Sequence, residues 1–186
     1  MLKPIVVFIF IFLSFQALAQ QPQGCISGTY STVNAKVRIQ YEYLIEGQYS
    51  GGVNLNYYLL NWQGPVVEPF IRVYGKRYGN KEGFFAQLKL IYGNLSSLKE
   101  LYDGNYIMNK RFSTFGVGAS AGYKFLIGKD FVIEPLAGIR FLTPPQTKWV
   151  NITSEQEALN KLGEGIGWYL ATGFPLDFQL KFGYQF

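Results

Sequence analysis

Apolar and polar side chains alternate strictly along this chain, with a period of two residues, in seven separate runs. In the run 33–45 every odd position is apolar, and every even position except Leu44 is polar or charged. Successive side chains of a β-strand point to opposite faces, so each run predicts a strand with one apolar and one polar face. The other runs are 49–59, 67–76, 84–92, 115–125, 133–141 and 176–186.

The sequence also indicates which face meets the surroundings. Only 16% of the residues are charged while 18% are aromatic, a balance typical of a sheet that faces lipid on one side. Glycines recur on the polar face of the run 115–125, where they leave space for long basic side chains in a narrow interior. We therefore predict an all-β fold, an eight-stranded antiparallel transmembrane β-barrel with a short helix in one long loop. Aromatic residues near the strand ends match the girdles of such barrels: Tyr49, Phe84, Tyr92, Tyr123 and Phe141.

Two stretches, 95–111 and 143–164, interrupt the rhythm of strands and short turns. The second contains Ser154-Glu155-Gln156-Glu157, the spacing of a capping box, and an apolar segment that ends before Gly163. This pattern predicts a short helix over about 155–162. The first stretch could form a single helical turn at Ser97–Leu101.

The arrangement of loops predicts a topology, because bacterial barrels keep short turns in the periplasm and long loops outside. The favoured count adds a first strand at Ile26–Thr32 and treats 166–186 as one long final strand. The competing count omits that first strand and divides the final stretch at Phe174-Pro175 into a hairpin. The favoured count makes three segments periplasmic turns: Glu46–Gln48, Gly79–Gly83 and Gly128–Asp130.

The first 19 residues have the three parts of a secretory signal peptide. Lys3 supplies the positive charge, Ile5–Leu13 is an unbroken apolar run, and Ala17-Leu18-Ala19 matches the cleavage pattern. An N-terminal membrane anchor is the alternative, but the apolar run is shorter than the roughly 20 residues that a helical span needs. We expect a signal peptide at 1–19, a barrel domain at 20–186, and a location in the bacterial outer membrane.

The polar faces of the predicted strands would place many charges inside the barrel. The repeated Val67-Glu68-Pro69 and Ile133-Glu134-Pro135 lie on strands of opposite direction, so Glu68 should lie near Arg140, and Glu134 near Arg72 and Lys76. Lys89 and Asp177 also fall on inward positions, and bases outnumber acids there. The candidate ionic cluster of the interior is Lys36, Arg38, Glu42, Glu68, Arg72, Lys76, Lys124, Glu134, Arg140 and Lys181.

The sequence offers little material for catalysis. It has no histidine, which removes the usual proton carrier of hydrolases with a serine or aspartate at the active site. Cys25 is the single cysteine, so neither an internal disulfide nor a cysteine-based metal site is expected. We therefore expect no enzyme activity, no catalytic residue, no cofactor and no metal. The basic residues are scattered along the strands, which argues against nucleic-acid binding.

Several short motifs carry a resemblance to a known family. The chain ends in Lys181-Phe182-Gly183-Tyr184-Gln185-Phe186, which resembles the assembly signal of outer-membrane barrels. The body motifs resemble a family of small outer-membrane β-barrels of unknown function from Bacteroidota, with an OmpA/OmpX-like architecture. The resemblance implies an outer-membrane location and contact with the barrel-assembly machinery through the strand ending in Phe186. The motifs that carry it are Glu42-Tyr43, Val67-Glu68-Pro69, Arg72-Val73-Tyr74, Gly83-Phe84-Phe85, Gly122-Tyr123-Lys124-Phe125 and Ile133-Glu134-Pro135.

Three functions remain open at this point. The first is a structural or interaction barrel, with long loops presented outside, a filled ion-paired interior and outer-membrane lipid around it. The second is a narrow pore, which a positive interior would make anion-selective. The third is a soluble periplasmic ligand-binding barrel of lipocalin type, with the apolar face turned inward. The external ligand is not specified by any of these patterns.

Overall fold

A computed structural model describes residues 24–31, 35–59, 62–75, 82–97, 111–144, 153–172 and 175–186. Its strands form one closed antiparallel barrel in which each strand pairs with its neighbours in sequence, and the first pairs with the last. The eight-stranded fold predicted from the alternation is therefore confirmed. The strands are β1 (Gly24–Ser31), β2 (Lys36–Glu46), β3 (Tyr49–Tyr58), β4 (Trp62–Tyr74), β5 (Gly83–Ser97), β6 (Arg111–Ile127), β7 (Phe131–Leu142) and β8 (Leu176–Gln185).

The two ends of the barrel differ in their connections. At one end, called the turn end, Gly24 and Phe186 exchange backbone hydrogen bonds of 2.9 Å, and the short β2–β3 and β6–β7 turns lie beside them. Gly47 and Gly128 adopt positive φ angles of 57° and 69° in those turns, a conformation that glycine reaches without strain. Of the predicted turn Gly79–Gly83, residues 79–81 lie outside the described part. The opposite end, the loop end, receives both long connections.

The alternation seen in the sequence becomes an outer and an inner face. On β5, Leu88 leaves 59% of its surface exposed, whereas its neighbour Lys89 leaves only 3%. Across β5 and β6 the same outward position pairs Leu88 with Ala119, so the apolar face continues from strand to strand. Polar and charged side chains consequently fill the interior, and apolar ones cover the outside.

Strand lengths differ from the sequence-based boundaries at the loop end. Within the run 33–45, strand β2 begins at Lys36, because Ala35 forms a turn with a positive φ of 36°, and residues 33–34 lie outside the described part. The predicted loop 95–111 is too long, since β5 continues to Ser97 and β6 begins at Arg111. Ser97 is therefore a strand residue, and the rest of the proposed helical turn Ser97–Leu101 lies outside the described residues. Likewise β4 begins five residues before Val67, at Trp62.

The largest correction concerns the segment before the last strand. Helix α1 covers Ser154–Thr172, so the predicted helix over 155–162 is too short and the predicted final strand 166–186 is wrong in its first part. The competing division at Phe174-Pro175 places the break correctly, but a helix rather than a strand precedes it. The helix continues past Gly163 because Trp168, which is fully buried, packs its last turns against the barrel.

Helix α1 is not both long enough and apolar enough to cross a membrane, and it is the one helix among the described residues. The predicted signal peptide at 1–19 lies outside the described residues.

Candidate functional site

The interior of the barrel is unusual for its number of buried charges. Within the described residues, seven basic and four acidic side chains are buried, each with at most 4% of its surface exposed. A buried charge is stable only when an opposite charge and further hydrogen bonds surround it. All of these residues except Lys36 form two groups, one toward each end of the barrel. The buried charged residues are Lys36, Arg38, Arg72, Lys89, Lys124, Arg140, Lys181, Glu42, Glu68, Glu134 and Asp177.

The first group, called the turn-end cluster, contains Glu42, Arg72, Lys124, Glu134 and Lys181. The Arg72 guanidinium donates two hydrogen bonds to the Glu134 carboxylate, at 2.6 and 2.8 Å, and one to Glu42 at 3.0 Å. Lys124 Nζ lies 2.5 Å from Glu42 Oε2, and Lys181 Nζ lies 3.1 Å from Glu134 Oε1. Each carboxylate therefore meets two cations, and Arg72 joins the two halves of the group in the paired geometry that arginine favours.

Neutral side chains complete the hydrogen bonding of this cluster. The hydroxyls of Ser50 and Tyr74 each donate to Glu42 Oε1 at 2.6 Å. Gln40 Oε1 accepts from both Lys181 Nζ, at 2.5 Å, and Arg72, at 3.2 Å. These contacts hold the charged side chains in single positions across the interior.

The second group, called the loop-end cluster, contains Arg38, Glu68, Lys89, Arg140 and Asp177. Glu68 is its centre, with Lys89 Nζ at 3.0 Å, Arg38 Nη2 at 3.4 Å and Arg140 Nη1 at 3.7 Å. Lys89 Nζ also approaches Asp177 Oδ2 at 2.5 Å. Arg38 Nε donates to the side-chain oxygen of Asn56. The hydrogen bonding is less complete here, since the Arg140 guanidinium approaches Glu68 only to 3.7 Å, which is beyond hydrogen-bond distance.

Glycines on the inner face make room for these long side chains. A Cβ atom at Gly118 would lie 2.8 Å from Lys89 Cε and 3.2 Å from Arg140 Cβ. At Gly122 it would lie 2.6 Å from Cζ of Phe85. The prediction that the β6 glycines leave room for long basic side chains therefore holds at Gly118, whereas at Gly122 the space is taken by the aromatic ring of Phe85.

Apolar side chains close the interior at both ends. At the turn end, Tyr74, Phe85 and Leu136 pack together, and the Arg72 guanidinium stacks 4.1 Å from the centre of the Phe85 ring. At the loop end, the rings of Trp62 and Trp168 meet edge to face with their centres 5.3 Å apart. Helix α1 thereby places a tryptophan over the mouth of the barrel. The buried residues of this layer are Tyr58, Trp62, Val66, Ile91, Leu95 and Trp168.

The structure brings together eight of the ten residues of the candidate ionic cluster. Lys36 is buried, but no described carboxylate lies within 4.0 Å of its Nζ atom, which instead stands 5.4 Å from the centre of the Tyr58 ring. Lys76 lies outside the described residues. Lys89 and Asp177 were predicted to face inward but were not assigned to the cluster. Their pairing follows from the register, in which Asp177 stands opposite Gly138 on β7 and Lys89 opposite Gly118 on β6.

Sequence reasoning missed the tryptophan layer. Trp62 shares its inward parity with Val66 and Phe70, so extending the alternation of β4 backward would have found it. Trp168 could not be found in that way, because it lies on a helix that was interpreted as a strand. Cys25 is a buried free thiol, and no group of three or more metal-binding side chains occurs among the described residues.

Comparisons with known proteins leave the family of the chain open. No protein-family model matches it, and no solved structure matches it. One curated protein, a mitochondrial 2-methylcitrate synthase from Yarrowia lipolytica, is 31% identical over 122 residues, which cover 63% of this chain. The match spans only 25% of that enzyme's length, so it carries no argument about the activity of this chain.

Proposed function

We propose that this protein is an outer-membrane β-barrel with a structural or interaction role, its long loops presented outside and its interior filled by ion pairs. The observation that carries the proposal is the distribution of polarity in the closed barrel. Apolar side chains with about half of their surface exposed cover the outside of every strand, and the charges are inside. Contact between such an apolar outer surface and water would be unfavourable, whereas contact with the hydrocarbon of a bilayer is not.

Aromatic side chains at both ends of this surface support the proposal. Tyr92 and Phe115 meet on the outside near the loop end, with ring centres 5.1 Å apart. Near the turn end, Tyr123 contacts Phe125 at 4.4 Å and Phe131 faces Tyr184. Amphipathic rings at two levels are typical of the girdles at the two bilayer interfaces.

The filled interior favours a closed barrel over an open one. The two charged clusters span the middle, and apolar layers lie above and below them. A narrow anion-selective pore is the second candidate, favoured by the excess of seven buried bases over four buried acids in the described residues. Single-channel recordings in planar bilayers distinguish the two, because a filled barrel gives no conductance steps.

The third possibility, a soluble lipocalin-type barrel, requires the apolar face to line a ligand cavity. The structure has the opposite arrangement, with Leu88 outside and Lys89 inside. This arrangement of the two faces argues against a lipocalin-type barrel.

The proposal includes a location in the outer membrane and assembly by the barrel-assembly machinery. The signal-like segment 1–19, the alternating residues of β8 and the resemblance to small Bacteroidota barrels all support export, insertion by the barrel-assembly machinery and contact with outer-membrane lipid. The long connections at the loop end would then meet the cell exterior, because such barrels keep their short turns in the periplasm.

The experiment that tests this proposal is the gel mobility of protein extracted from the membrane fraction, unboiled against boiled. A closed membrane barrel resists detergent, so we expect the unboiled sample to migrate differently from the boiled one. Recovery of the protein in the soluble fraction, with no change of mobility on heating, would contradict the proposal.

A further inference from the structure

Helix α1 carries an apolar stripe that the barrel does not cover. Leu159, Leu162 and Ile166, called the α1 stripe, follow one another at intervals of three and four residues and leave 69%, 63% and 52% of their surface exposed. Tyr169 continues the same spacing. At about 100° per residue, the α1 stripe lies about 120–180° around the helix from Trp168, which packs α1 on the barrel. The stripe therefore faces away from the contact that holds α1 in place.

The anchored end of α1 lies beyond the part of the barrel that lipid would cover. Trp168 packs on Trp62, and Trp62 pairs with Ser97 at the loop end of β5. Ser97 lies past Tyr92 of the outer girdle by roughly 12 Å along the barrel axis, at about 3.3 Å per residue and a tilt of about 40°. Hydrocarbon therefore does not account for the exposure of Ile166, which is two residues from Trp168. An apolar patch that faces water marks a contact site.

The charges of α1 argue against a membrane surface as the occupant of this site. Its first turn carries Glu155 and Glu157, and its last turn has no basic residue. Helices that lie in the plane of a membrane are rich in lysine and arginine on their polar face, because the lipid headgroups include anions. The acidic α1 is therefore better suited to contact with another protein surface.

The spacing of the α1 stripe is the one that two helices need in order to pack side by side. Apolar positions separated by three and then four residues form the seam of a helix pair, as the a and d positions of a heptad do. Small residues flank this seam at Ala158, Gly163 and Gly165, and a Cβ atom at either glycine would meet nothing within 4 Å. The surface beside the stripe is therefore open to the close approach of a second helix.

A second copy of the chain in the same membrane carries its own α1 stripe at the same height above the bilayer. A two-fold axis along the membrane normal would bring the two stripes together in the self-complementary contact of a symmetric dimer. We propose that the protein forms a homodimer in which the α1 stripes of two copies pack against each other outside the membrane. This inference rests on the proposed membrane location, because the membrane is what holds both copies at one height.

Cysteine cross-linking in outer-membrane vesicles tests the dimer, with every variant made in the Cys25→Ser background. A residue close to a two-fold axis meets its own counterpart. Oxidation should therefore join Leu162→Cys, Ile166→Cys or both into a covalent dimer that a reducing agent separates. Asn160→Cys is the control, since its Cα lies about 160° around the helix from that of Leu162, and it should stay monomeric.

A second test removes the apolar stripe and keeps the helix. The double variant Leu162→Gln/Ile166→Gln should weaken the dimer at least about a hundredfold, because each copy loses two apolar side chains from the contact. Glutamine has nearly the helix propensity of leucine, so α1 is retained. Sedimentation of the full barrel in mild detergent measures the change. The matched control, Leu88→Gln/Leu90→Gln on the outer face of β5, alters two equally exposed apolar residues and should leave the dimer unaltered.

Three results would overturn the inference. Monomers of Leu162→Cys and Ile166→Cys that react rapidly with a water-soluble maleimide would show a stripe open to water. Protection from maleimide without cross-linking would show that the same chain or lipid covers the stripe, and equal cross-linking of Asn160→Cys would show random collision. A protein that keeps its heat-dependent mobility but stays monomeric contradicts only this inference, whereas loss of that mobility contradicts the membrane proposal itself.

Discussion

An arginine introduced at Leu88 would test whether the outer face of the barrel meets hydrocarbon. Leu88 lies halfway between Phe84 and Tyr92, all three on the outer face of β5. At about 3.3 Å per residue and a tilt of about 40°, the segment from Phe84 to Tyr92 spans roughly 20 Å along the barrel axis. The apolar band of such barrels is about 25 Å tall, so Leu88 falls near its middle and the two aromatic residues near its edges.

The depth of each position sets the expected effect on stability. Leu88→Arg should lower the free energy of unfolding by about 2–4 kcal/mol, the cost of a basic side chain at the bilayer midplane. Phe84→Arg and Tyr92→Arg should lower it by about 0–1 kcal/mol, because their guanidinium groups reach the interface. In water, all three exposed substitutions would stay within about 0.5 kcal/mol of the parent.

Reversible urea unfolding in phospholipid vesicles, followed by tryptophan fluorescence, measures these differences. The dependence on depth is the informative quantity, since a general effect of added charge would be the same at all three positions. Equal costs at Leu88, Phe84 and Tyr92, or no cost at Leu88, would show that the outer face of the barrel does not meet hydrocarbon.

Three further predictions concern the interior. Trp168→Ala should release α1 from the barrel mouth at a cost of about 3–5 kcal/mol, seen as rapid protease cleavage within 153–172 while the heat-dependent gel mobility persists; unchanged protection would contradict it. Glu134→Gln leaves Arg72 with one fewer carboxylate and should destabilise the barrel by about 3–5 kcal/mol in urea unfolding, whereas the exposed Glu82→Gln should shift it by less than about 0.5 kcal/mol. Gly138→Val should prevent normal closure, because a Cβ there would lie 2.3 Å from a backbone oxygen of the paired strand; a normal mobility shift and yield would show that the β6–β7 pair tolerates the side chain.

The parts of the fold that the sequence predicts are those governed by the period of two. Lys89 and Leu88 could be assigned to opposite faces because a strand leaves no other choice. The strand number followed from the seven alternating runs together with the first strand that the arrangement of loops required. The proximity of Glu68 to Arg140 could also be predicted from strand direction and residue parity alone. Each of these inferences depends on local geometry repeated over many residues.

The parts that the sequence did not predict depend on contacts between distant segments. Ile166, Trp168 and Leu170 alternate as a strand would, yet they belong to α1, because the docking of Trp168 on Trp62 outweighs three glycines in the helix. The extent of the β1–β8 pairing, which ends at Gly28 and Phe182, was also beyond prediction from the sequence. That length is decided by the whole barrel and not by either strand.

Spin labelling measures directly whether water or hydrocarbon surrounds the outer face of the barrel in the membrane. In vesicles made from the outer membrane of cells producing the protein, nitroxide labels placed one at a time along 86–91 of β5, in the Cys25→Ser background, report accessibility to oxygen and to a water-soluble nickel chelate. We predict high oxygen accessibility with low chelate accessibility at Leu88 and Leu90, and low accessibility to both reagents at Lys89, which points inward. High accessibility to the nickel chelate at Leu88 would show water against the apolar face and would contradict a membrane barrel.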